Sequence, residues 1–171
     1  MVLGDPYKFA VLLHVIPEWN EDETWRNGLL MLFVDGWLFP PAGAENATLS
    51  YEILRLKNLL HIEADAPLFE MDRDEAFRTI YRLRFPDAED ENAEEDLRFD
   101  LTPDALGDRN CFVFGVRKGE QVRVLAAGPL PYDKKESRHS LQSIFVRETV
   151  ISSGELSAIC HGLEEWDRCG T

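Results

Sequence analysis

Residues 7–16 set Tyr7, Phe9, Val11, Leu13 and Val15 in alternation with Lys8, Ala10, Leu12, His14 and Ile16. A period of two marks a strand, and two nearly apolar faces place that strand inside a sheet rather than at its edge. Residues 17–28 are polar and turn-rich, a long connection that carries Trp19 and Trp25. Two apolar runs, 29–34 and 37–39, then flank Asp35-Gly36. An Asp-Gly pair between such runs is a strong hairpin signal, because both residues of the tight turn need positive φ. Pro40-Pro41 stops the second strand.

The period then changes. Leu49, Ile53, Leu56 and Leu60 are spaced four, three and four apart, the stripe of an amphipathic helix starting near Thr48 or Ser50. Asp72 with Glu75 three residues on is a capping-box-like pair and opens a second helix, with Ala76, Phe77, Ile80 and Leu83 expected in the core and Pro86 as its end. Residues 97–101 are read as a short strand and 102–109 as a connection. Phe112, Phe114 and Val116 alternate, Lys118-Gly119-Glu120 turns the chain, and Val122, Val124 and Ala126 return it as a second hairpin. Residues 144–151, rich in β-branched side chains, form a last strand. Ser152 and Glu155 repeat the capping-box pattern, and Leu156, Ile159, Cys160 and Leu163 give the apolar stripe of a helix over about residues 153–166.

Strands and helices in this order predict an α+β fold: an antiparallel sheet of about six to seven strands with two to three helices packed on it. A chain of 171 residues forms one domain over 1–171, and neither repeats nor a hinge-like linker divide it. Ten Phe and four Trp supply core material that a disordered chain lacks.

Charge changes the picture. Thirty-two acidic residues against 18 Lys and Arg leave a formal net charge of −14. Seven of the acids, Asp87, Glu89, Asp90, Glu91, Glu94, Glu95 and Asp96, fall in residues 87–96 without a single Lys or Arg. Such a run repels itself and has nothing to bury, so 87–96 is read as an acidic mobile loop. Nucleic acid and anionic membrane both require a basic face, and neither is an expected partner. The Lys134-Lys135-Arg138 cluster is too small to reverse that sign. The first residues have no secretory pattern and the longest apolar stretch is too short for a bilayer, so a cytoplasmic protein is expected. Three cysteines, none in a CxxC pair, agree with a reducing compartment.

Motifs of chemistry are not found. His14, His61, His139 and His161 form no HxH or HExxH pattern, and no metal or other cofactor is expected. Cys160 and His161 are neighbours on a helix, where adjacent side chains diverge by about 100°. They do not make a dyad. GxSxG, P-loop and GxGxxG patterns do not occur. The chain is therefore read as a binding protein rather than an enzyme.

Four short segments carry a family likeness: Gly4-Asp5-Pro6-Tyr7-Lys8-Phe9-Ala10, Glu18-Trp19-Asn20, Asn27-Gly28 and the hairpin Asp35-Gly36-Trp37-Leu38-Phe39-Pro40. Together they resemble the opening of immunity protein family 42, over roughly the first 60 residues. The resemblance implies a protein of bacterial polymorphic-toxin and contact-dependent inhibition systems, encoded beside a toxin whose C-terminal domain it binds and neutralises. It brings no catalytic residues with it. If that toxin is a nuclease, its substrate groove is basic and an acidic inhibitor blocks it sterically and electrostatically. Candidate partner-binding residues are Trp19 and Trp25, as aromatic anchors, and Asp87, Glu89, Asp90, Glu91, Glu94, Glu95 and Asp96. The rival reading is an acidic adaptor or chaperone-like module for another basic partner.

Overall fold

The structure, a computed structural model, describes residues 1–20, 26–43, 45–57, 62–86, 94–134 and 138–169. Strand β1 (Val2–Gly4) pairs antiparallel with β2 (Phe9–Val15), and β2 pairs antiparallel with β3 (Asn27–Val34). The alternating stretch is thus an interior strand, as its two apolar faces require. Strand β4 (Trp37–Phe39) returns from β3 through Asp35 and Gly36, whose φ values of 53° and 73° are the left-handed pair a two-residue loop needs. Strand β5 (Glu45–Thr48) pairs with the first half of β3, so β4 and β5 lie end to end along one side of it. These five strands form one sheet.

Helix α1 (Leu49–Leu56) follows β5 directly and buries Leu49, Ile53 and Leu56. Leu60, expected to extend this stripe, and His61 lie outside the described residues. The short α2 (Ala66–Glu70) is capped by Asp65, whose carboxylate accepts from the Leu68 N–H at 2.9 Å. In α3 (Arg73–Arg84) the cap is Asp72, whose Oδ1 accepts from the N–H groups of Asp74 and Glu75 at 3.0 and 3.3 Å. Ala76, Phe77 and Ile80 are buried as expected, but Leu83 is exposed. At about 100° per residue, Leu83 falls at the margin of the arc defined by Phe77, Ile80 and Tyr81, while Arg84 falls at its centre. Arg84 is accommodated there because its Nε donates to Asp100 Oδ2 at 2.9 Å.

Residues 97–101 form a turn with one bridge, Asp100 to Phe114, in place of the expected strand. A single helical turn, α4 (Asp104–Gly107), precedes the hairpin of β6 (Phe112–Lys118) and β7 (Gln121–Ala127). Strands β8 (Tyr132–Asp133) and β9 (Arg138–His139) make a two-stranded ribbon. Strand β10 (Arg147–Ser152) pairs antiparallel with β7 and leads into α5 (Ser153–Cys169). The expected capping box is complete: Ser152 Oγ accepts from Glu155 N–H at 3.1 Å, and Glu155 Oε2 accepts from Ser152 N–H at 2.8 Å.

The fold is α+β and its named strands pair antiparallel, divided among sheets of five, three and two strands. In the three-stranded sheet, β10-β7-β6, strands β6 and β7 are buried on both sides. Val113, Val122, Val124 and Ala126 join a first core with β2, β3, α1 and α5. Phe112, Phe114, Leu125 and Ala127 join a second with Phe77, Ile80 and Tyr81 of α3. One sheet therefore serves two hydrophobic layers.

Candidate functional site

Trp19 ends a 3-10 turn, Pro17–Trp19, held by the two amides that follow it. Asn20 Nδ2 donates to the carbonyls of Ile16 and Asn27 at 2.6 and 2.9 Å, and Asn27 N–H donates back to Asn20 Oδ1 at 2.6 Å. Trp19 is 41% exposed and lines a hollow of about 250 Å³ with Asn27, Asn46, Ala47 and Thr48. Small-molecule sites run from about 300 Å³ upward and are mostly apolar. This hollow, rimmed by amides and a hydroxyl, is a surface contour. Trp25 lies outside the described residues.

Of the acidic run, Asp87, Glu89, Asp90 and Glu91 also lie outside the described residues. Glu94 is exposed. Glu95 and Asp96 meet basic partners that flank the run: Arg84 Nη1 donates to Glu95 Oε2 at 2.7 Å, and Arg98 Nη2 donates to Asp96 Oδ2 at 2.7 Å. Asp96 N–H also donates to the Leu83 carbonyl at 2.9 Å. Hydrogen bonding from Arg98 holds the Asp96 carboxyl below the usual carboxylate range. The C-terminal end of the run is thus fastened to the end of α3. Trp19 lies in the connection between β2 and β3, and Asp96 is bonded to the end of α3.

A third group was not singled out by its sequence. Tyr7, Trp37 and Phe145 are 84%, 50% and 62% exposed. The guanidinium of Arg147 stands 3.7 Å from the Trp37 ring centroid and 4.3 Å from that of Phe145, and the two rings are 6.3 Å apart. A Cβ placed on Gly36 would stand 3.8 Å from Tyr7 Cδ1, so the Tyr7 ring borders the hairpin tip. Asp35 N–H donates to the Lys8 carbonyl at 2.8 Å and Gly36 N–H to the Pro6 carbonyl at 3.1 Å, which locks the β1–β2 turn to that tip.

Buried polar groups serve the fold. Glu52 accepts from the N–H groups of Asp104 and Ala105 at 3.0 and 2.8 Å, and burial raises its carboxyl pKa. His139 has both ring nitrogens engaged, Nδ1 with Tyr81 Oη at 2.6 Å and Nε2 with Asn110 Oδ1 at 2.7 Å. Burial lowers its pKa and pushes the Tyr81 hydroxyl up to about 12. The imidazole is therefore neutral, accepting from Tyr81 and donating to Asn110. Burial also pushes the Cys111 and Cys160 thiols up to about 11, so neither supplies a thiolate at neutral pH. Among the described residues no group of three or more His, Cys, Asp or Glu could hold a metal ion, and no helix is long and apolar enough to cross a membrane.

Exposed rings and carboxylates thus stand on an antiparallel α+β frame. The family model of immunity protein 42 matches residues 1–166, and the chain belongs to that family. The match runs far beyond the opening segments that carry the resemblance. A solved structure, that of CdiI from Burkholderia dolosa AUO158, shares the fold with a TM-score of 0.74 at 21% identity, covering 96% of this chain and 99% of that one. No curated protein matches the chain.

Proposed function

We propose that this immunity protein binds the C-terminal domain of a cognate toxin, a nuclease, and blocks its substrate groove by bulk and by charge. The observation that carries this reading is the net charge of −14 in a chain of the immunity protein 42 family. A nuclease groove is lined by cations that bind phosphate. A carboxylate-rich surface fits such a groove and is drawn to it from a distance, at rates up to about 10⁸–10⁹ M⁻¹s⁻¹ at low salt. Residues 87–96 are the densest source of that field, and Trp19 offers an exposed ring as a second point of contact. The protein works as a stoichiometric inhibitor in the cytoplasm, without catalysis, and binds neither nucleic acid nor membrane.

The test is survival of cells that express the toxin domain encoded beside this gene, with and without this protein. Protection, together with loss of the toxin's nucleic-acid cleavage on adding one equivalent of the purified protein, is expected. Equal killing in both strains would overturn the immunity reading. Protection against a toxin that cleaves no nucleic acid would overturn the nuclease assignment alone.

A further inference from the structure

We infer that the rings of Tyr7, Trp37 and Phe145, braced by Arg147, are the packing centre of the toxin interface, and that their occupant is a basic face of the toxin domain. The inference rests on the toxin-binding reading above and says where on this molecule the toxin is held. Three segments far apart in sequence converge here: the β1–β2 turn, the β3–β4 hairpin tip and the lead into β10. Exposing the adjacent Trp37 and Phe145 rings, with Tyr7 at the same hairpin tip, is unfavourable in water and marks an interaction surface. Trp, Tyr and Arg are also the residue types that dominate binding energy at protein interfaces.

The patch is built before any partner arrives. Main-chain hydrogen bonds join the turn to the hairpin tip, and the Arg147 guanidinium contacts both the Trp37 and Phe145 rings. Arg147 Nη1 lies 3.6 Å from Asp35 Oδ2, while Arg147 Nε is buried with no hydrogen-bond partner among the described residues. Stacking on the two rings therefore holds this cation at least as much as ion pairing does. A preorganised patch loses little conformational entropy on binding.

Local charge selects the occupant. Lys8 pairs with Glu155 at 2.7 Å and Arg73 with Asp74 at 2.8 Å, while the Arg147 guanidinium stands 3.6 Å from Asp35. Asp5, which accepts from Tyr7 N–H at 2.9 Å, adds a further carboxylate. These four carboxylates exceed the three cations by one, on a chain whose net charge is −14. Arginine and lysine side chains of a partner would stack on the exposed ring faces and meet the Asp5 carboxylate beside Tyr7.

The experiment is calorimetric titration of the toxin domain encoded beside this gene into the wild type and into Tyr7→Ala, Trp37→Ala, Phe145→Ser and Leu54→Ala. Trp37→Ala is expected to weaken binding by about thirty-fold or more, the loss of a hot spot. Leu54→Ala alters an exposed side chain of α1 and should stay within about twofold of the wild type. Tyr7 and Phe145 are the most exposed of the three rings, so their variants test the patch even if Trp37→Ala folds poorly. On complex formation, amide protons of the hairpin tip should slow in exchange. Wild-type binding that all three ring variants retain would overturn this inference and leave the immunity reading standing. A wild type that neither binds the toxin nor protects against it would overturn both.

Discussion

Arg123 Nη1 lies 2.8 Å from the main-chain oxygen of Met71, just past the C-terminal end of α2, and also reaches the carbonyls of Leu68 and Phe69 at 3.1 and 2.9 Å. The other edge of the same guanidinium grips Glu148 of β10, with Nε to Oε1 at 3.0 Å and Nη2 to Oε2 at 3.2 Å. A residue on the middle strand of the three-stranded sheet thus satisfies the carbonyls that a helix end leaves free. It also ties α2 to the sheet. Arg123 is 4% exposed.

Arg123→Met keeps the bulk of the side chain and removes every donor. Three carbonyls and the Glu148 carboxylate would lose their partner, and the expected loss of stability is about 3 kcal/mol or more. Against a typical total of about 5–15 kcal/mol this is a large share. Chemical denaturation of the two proteins measures it. A loss below about 1 kcal/mol would show that water takes over the carbonyls.

Gly28 tests a steric requirement. A Cβ there would stand 2.2 Å from the His14 carbonyl oxygen and 2.8 Å from Leu49 Cδ1, where β2, β3 and α1 meet. Gly28→Ala is expected to cost about 1–3 kcal/mol, as overpacking of a filled interior does. Equilibrium unfolding checks it, and an unchanged midpoint would mean that β2 and β3 separate there without strain.

Locally determined features were legible in the sequence. Asp35-Gly36 forms its turn because two adjacent residues need positive φ, and Ser152 with Glu155 caps α5 because both bonds lie within four residues. Strands β1 and β5 escaped notice because three or four residues are too few to display a period, and the ENAT stretch of β5 carries no apolar alternation. Leu83 was misplaced because the stripe of α3 admits either Leu83 or Arg84 at its end, and only the tertiary partner Asp100 decides between them. The Tyr7, Trp37, Phe145 and Arg147 patch had no local signal at all. Its members meet only once the hairpin tip, the β1–β2 turn and the lead into β10 are folded together.

Acid should loosen the start of α5. Lys8 bonds the Glu155 carboxyl, Ser152 bonds it through N–H and hydroxyl, and the pKa falls from 4.5 to about 2. A depressed folded pKa contributes stability that is present above the unfolded value of 4.5 and is lost as pH falls toward about 2. Glu155→Gln keeps a capping-box acceptor but loses the charge that faces Lys8. The stability gap between wild type and Glu155→Gln should therefore close on acidification through that window. Urea unfolding across the window reads the gap directly, and a gap that stays constant with pH would refute the linkage.

Charge and packing should separate in the kinetics of toxin capture. Long-range steering acts on the encounter, so kon should fall steeply from low to physiological salt while koff changes far less. Neutralising the run with Asp90→Asn, Glu91→Gln, Glu94→Gln and Glu95→Gln should lower kon in the same manner. Breaking the Glu95–Arg84 pair in that variant should cost little stability, because exposed ion pairs contribute about 0–1 kcal/mol. Trp37→Ala should do the reverse, raising koff by about thirty-fold or more at nearly unchanged kon. If the carboxylates instead sit in the toxin's groove as phosphate substitutes, removing them releases buried charge contacts and acts on koff. Stopped-flow association and dissociation of both variants at two salt concentrations distinguishes these mechanisms. Rates that ignore the neutralised run altogether would assign its charge to solubility and leave the aromatic patch as the seat of binding.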